Sequence, residues 1–209
     1  DAKWDIEDSN GDAVNPTGSS LGGTLTLSAE GFNVTAKSTS ATVSAATTTI
    51  DEKGNFVIKF NVMAGDEAVY IAPTAATVGN DVTNATVIAN STNGALFHVM
   101  QDGVALTTAL IAANVGTPAV LLESTATLTA GEYKVNANQT KEFTLTVTID
   151  PDKDEITTNA YFAIELTHVN YATTAGKAAT AADNATYVIS TDNSNFQTPS
   201  VNITGGPNT

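Results

Sequence analysis

Residues 141–171 contain the pattern that most limits what this chain can fold into. Phe143, Leu145, Val147 and Ile149 alternate with Thr144, Thr146 and Thr148, the period-2 signature of a strand with one buried face. After the acidic stretch 150–155, Phe162, Ile164 and Leu166 share one face of a second run, and Tyr161, Ala163, Glu165 and Thr167 take the other. This reading predicts a hairpin, 141–149 against 161–169, which needs a second apolar surface to cover it. The chain must therefore supply a facing sheet.

The remaining sequence breaks into similar short runs. Strands are expected at 24–27, 32–35, 41–45, 56–62, 68–71, 86–89, 95–100, 120–122, 125–128, 132–135, 186–189 and 200–203, the first three separated by Gly or Ser/Lys turns and the others by polar or Gly-containing turns and loops. Asp51 to Asn55 reads as a hairpin loop with Gly54 in a left-handed position, and Gln101-Asp-Gly103 as a turn. Only Val104–Asn114, rich in Ala and Leu, suits a short helix. Roughly ten to twelve short strands describe an all-β fold, an antiparallel β-sandwich or jelly roll. At 209 residues the chain fits one such domain over 24–209, preceded by an irregular N-terminal extension, residues 1–23.

Charge narrows the partners. The formal charge is -14, and all eight basic residues are lysine. Nucleic acid is disfavoured, because binding it requires clustered cations, and an anionic membrane surface is disfavoured for the same reason. The least polar long stretch, Gly103–Leu122, is broken by Thr, Asn, Gly and Pro, so no membrane insertion is expected. With no Cys, disulfides and thiol chemistry are absent. A chain opening at Asp1 rather than Met, with a Thr/Asn-rich surface, fits a mature secreted form and an extracellular or cell-surface location.

Three features carry candidate chemistry. Asp150, Asp152, Asp154 and Glu155 offer hard oxygen ligands from one loop, as Ca²⁺ requires, and Asp8, Asn10 and Asp12 form a second such set. A solvated, charged turn that resists aggregation is the plainer account of the first, and Asn10-Gly11 is a turn signal in its own right. Ala2, Trp4 and Ile6 alternate with charged residues, so this segment suits either the chain's own core or a strand lent to a neighbouring subunit. His98 and His168 read as structural histidines, each without a second ligand nearby in sequence. Six Asn-x-Ser/Thr sequons occur, at Asn33, Asn84, Asn90, Asn138, Asn184 and Asn202, close to the roughly four that composition alone would give. No nucleophile, zinc or phosphate-loop motif is present, so no enzymatic activity is expected.

The segment Gly23-Thr-Leu-Thr-Leu-Ser-Ala29, after an acidic N-terminal stretch, resembles the start of TasA/camelysin-type biofilm matrix proteins. It is also loosely similar to the β-sandwich subunits of archaeal strand-exchange pili and cannulae. That resemblance implies a secreted jelly roll that polymerises with copies of itself by donor-strand complementation. The expected function is a structural subunit of an extracellular filament, tube or surface layer, calcium-dependent if the acidic turns bind metal. A monomeric adhesin or carbohydrate-binding module with a glycan partner is the alternative.

Overall fold

The structure, a computed structural model, describes residues 32–45, 52–82, 91–150, 160–179, 185–189 and 194–203. Two sheets face each other across one apolar core. The first has four strands in the order β1 (Asn33–Ala45), β2 (Glu52–Met63), β10 (Thr140–Ile149) and β7 (Ala119–Ser124), all antiparallel. The second is built on β11 (Ala160–Tyr171), with β5 (Ala95–Gln101) on one side and β12 (Ala185–Val188) and β13 (Val201–Ile203) on the other. Beyond β5 lie β4 (Ala75–Thr77), its one parallel neighbour, and β6 (Val104–Ala105). A small sheet of β3 (Val69–Ile71), β9 (Glu132–Val135) and β8 (Thr127–Thr129) adjoins them. The all-β sandwich is as expected.

The core follows the alternation. Phe56, Ile58, Phe60 and Val62 of β2 and Phe143, Leu145, Val147 and Ile149 of β10 are at most 1% exposed, while the intervening Thr and Lys side chains cover the outer face. Opposite them lie Phe97 and Val99 of β5 and Phe162, Ile164 and Leu166 of β11, all in the same cluster. Each large side chain so buried contributes about 1.5–3 kcal/mol. Tyr133 meets Phe143 edge-on at 5.7 Å, tying the small sheet to the large one.

The predicted hairpin is not one. β10 pairs with β2 and β7, whereas β11 pairs with β5, β12 and β13. Residues 150–159 are too long for the two-to-five-residue loops of tight hairpins, and long enough to cross the ~10 Å between stacked sheets. Turning the two most apolar faces toward each other buries both at once, which side-by-side pairing does not.

Three further differences have local causes. The strands expected at 32–35 and 41–45 are one strand, β1, in which a register shift between Ala36 and Ser38 absorbs Lys37 as a bulge. Gly54 is not a turn residue: it lies within β2 opposite Val43 and Ile149. A Cβ there would collide with Ile203 Cδ1 and stand 2.7 Å from the Phe56 ring, so glycine lets β13 close over β2. The helix α1 (Thr108–Asn114) occupies only the second half of its predicted span, because 104–105 form β6. Asp102 (φ 51°) and Gly103 (φ 82°) make the expected two-residue turn between β5 and β6.

Candidate assembly edge

Among the described residues β1 is an edge strand, and nothing pairs with its outer side. Its beginning is well held. Phe32 stacks on Tyr171 with ring centroids 3.9 Å apart, and Tyr187 Oη donates to Asn33 Oδ1 at 3.3 Å. Phe32 and Val34 are buried. From Ser38 onward the strand emerges: Ser40, Thr42 and Ser44 are exposed, and Val43, across from Gly54, is 38% exposed.

Folded proteins usually protect such an edge with charge, proline, a bulge or a short strand. The bulge at Lys37 is present, but the lysine does not guard the edge. Its Nζ donates to Glu142 of β10, two strands away across the outer face of the sheet. That hydrogen bond holds the Glu142 carboxyl below its ordinary pKa. Ser38–Ala45 then continues with no charge, glycine or proline. Beside the bulge a groove of roughly 560 Å³ opens between Val34–Thr39 and the 3-10 turn Ser194–Phe196.

The other edges are shorter or better closed. β7 carries Glu123, follows Pro118 and accepts a hydrogen bond from Tyr133 Oη at Leu122 O. β12 has four residues and β4 three. Among the described residues β1 thus offers the longest run of strand able to accept another strand. The Ser/Thr/Ala pattern of 38–45 marks a strand in the sequence; nothing in it marks an edge, which depends on the neighbours.

Of the proposed calcium ligands, the structure places Asp150. It is exposed at the end of β10, and its carboxylate accepts from Lys53 Nζ at the start of β2. Asp152, Asp154, Glu155, Asp8, Asn10 and Asp12 lie outside the described residues, as do Ala2, Trp4 and Ile6. Among the described residues no group of three or more His, Asp or Glu side chains is arranged to hold a metal ion.

Two polar arrangements are invisible in the sequence. The two histidines share the outer face of the six-stranded sheet, where His98 Nδ1 lies 3.6 Å from Glu165 Oε2. His168 Nδ1 is 2.9 Å from Thr167 Oγ1. Burial, reinforced by the charge of His98, lowers the pKa of His168. Strand register brings them together, since His98 opposes Glu165 and His168 opposes Leu96. In the second arrangement, the buried carboxylate of Glu132 gathers three backbone amides. Gly176 N donates to Oε2 at 2.8 Å, while Ala178 N and Ala179 N donate to Oε1 at 2.7 and 3.3 Å. This fastens the 172–179 loop to the small sheet, helped by paired backbone bonds between Tyr70 and Ala172.

Comparison with protein-family models, with curated proteins and with solved structures returned no match. No described helix is long and apolar enough to cross a membrane.

Proposed function

We propose that this chain is a non-catalytic, secreted structural subunit that assembles with copies of itself by adding a strand to the β1 edge. One observation carries the reading: Ser38–Ala45 is a long, uncharged strand edge with no partner among the described residues. Backbone pairing at such an edge supplies affinity, and pockets beside it supply register. The segment containing Ala2, Trp4 and Ile6 is the proposed donor, and the product is an extracellular filament, tube or layer of the pilus-like or biofilm-matrix kind. Calcium at the acidic turns is a subsidiary proposal. A monomeric adhesin or carbohydrate-binding module is the second reading, favoured by the groove of roughly 560 Å³ beside Lys37.

The test is negative-stain electron microscopy of the protein with calcium and with chelator, beside the double variant Thr39→Lys/Val43→Lys. These positions face the half-open interior, where a charge blocks strand addition yet reaches solvent. Ordered polymers from the wild type and dispersed, folded particles from the variant are expected. Dispersed wild-type particles in both conditions would discard the polymer and favour the binding module. Polymers in both conditions would leave strand addition standing and remove calcium from it.

A further inference from the structure

The asparagines of three of the six sequons fall among the described residues, and the fold treats them differently. Asn33 is half-buried at the start of β1, where its Oδ1 accepts from Tyr187 Oη. Asn202 is half-buried in β13, paired with Tyr161 of β11. An oligosaccharide on either amide would have to share space with those neighbours. Asn138, in Asn138-Gln139-Thr140, stands at the tip of the β9–β10 connection and is exposed, as are Gln139 and Thr140.

The backbone of that turn is firmly held while the amide is not. Asn138 N donates to Gly65 O at 2.7 Å, Gln139 N to Asn136 O at 3.0 Å, and Ala64 N to Gln139 O at 3.0 Å. Asn138 has φ 57°, a left-handed conformation that Asn tolerates better than most residues. No hydrogen bond engages its side chain among the described residues. The geometry points to Asn138 as an acceptor site for an N-linked oligosaccharide.

In that transfer Asn138 Nδ2 forms the new bond to the anomeric carbon of the first sugar of a polyprenyl-pyrophosphate-linked oligosaccharide. The bond from that carbon to the pyrophosphate oxygen breaks, the lipid pyrophosphate departs, and one amide proton passes to the transferase. The site also suits the assembly edge. Thr140 and Asn33 both register with Met63, so the turn sits at the end of the sheet where β1 begins. Ser38–Ala45 runs from there toward the opposite end, where Ala45 meets Glu52. A glycan on Asn138 leaves that edge open.

This inference rests on the secreted reading given above. The full chain, placed behind a secretory leader in a eukaryotic host that performs N-glycosylation, is mapped by peptide mass spectrometry with and without glycosidase. Wild type is compared with Asn138→Gln and Thr140→Ala, and the same preparations are imaged by electron microscopy. The peptide bearing Asn138 is expected to carry one oligosaccharide, which both variants lose while staying folded, with Asn138→Gln melting slightly lower because Gln tolerates the left-handed backbone less well than Asn. A bare Asn138 in folded, secreted wild type overturns the assignment, whether or not polymers form. A modified Asn138 in protein that never polymerises supports the site and removes only the assembly reading. If the variants polymerise and the glycosylated protein does not, the compatibility of glycan and edge is refuted.

Discussion

Replacing Glu132 with Ala removes the acceptor for three backbone amides, and the structure sets the size of the effect. Hydrogen bonds to a charged group are worth about 1.5–3 kcal/mol each, and a buried donor left unsatisfied costs about 1–3 kcal/mol. The three do not sum. Gly176 and Ala179 are exposed and turn to water once released, whereas Ala178 is fully buried and does not without moving the loop. The expected loss is therefore about 2–4 kcal/mol, a melting shift of roughly 5–15 °C for a chain of this size. Glu132→Gln keeps one acceptor oxygen and should recover about half of that. Calorimetry gives the total, and hydrogen exchange locates it: protection should fall first at Gly176, Ala178 and Ala179. If Glu132→Ala lies within about 0.5 kcal/mol of wild type, or if Gln is no better than Ala, the carboxylate is not the fastening described.

Gly54→Ala should destabilise by about 1–3 kcal/mol, as overpacking does, with near-ultraviolet circular dichroism reporting the disturbed contact of β13 with β2; an unchanged denaturation midpoint would contradict this. Ala130 has φ 53° at the β8–β9 turn, followed by Gly131 at 80°, so Ala130→Asn should stabilise by about 0.5–1 kcal/mol in urea melts. Phe32→Ala should cost about 3–5 kcal/mol and speed amide exchange along the start of β1, because the ring stacked on Tyr171 holds that strand down. The pKa of His168 is lower in the folded state than its ordinary value near 6.5, so between the two values the unfolded chain binds the proton first. Stability from this source is complete above the ordinary value and falls as pH drops below it toward the folded one. His168→Gln should flatten that part of a pH–stability curve, and an unaltered slope would show that other groups produce it.

Local chemistry was legible; neighbours were not. The alternation in Phe143–Ile149 correctly identified a strand with a fully buried face, and Asp102-Gly103 correctly identified a turn. Which strand lay beside which could not be read, since alternating faces look alike whether two strands pair edge to edge or meet across a core. Gly54 misled for a related reason: a glycine needed to admit Ile203 reads in sequence like a glycine needed for a turn. Lys37 looked like a break between strands because a bulge leaves no periodic signature of its own. His98 and Glu165 are far apart in sequence, and so are Glu132 and its three amides, so both arrangements wait on tertiary structure. The candidate edge is the extreme case, for its defining property is that no described strand lies beside it.

The connection from β10 to β11 bears on the order in which this protein can fold. Those two runs are close in sequence and have the strongest apolar faces, yet their first native encounter is across the core. A hairpin would close with few residues between its strands, whereas here both sheets have to recruit partners from far along the chain: β10 from β2, β11 from β5 and β13. Such non-local pairing places folding in the slow range of β-rich domains. While it proceeds, every strand is for a time an unpaired edge, and β1, whose only described partner is β2, is the longest strand that keeps one side unpaired among the described residues once the sandwich has formed.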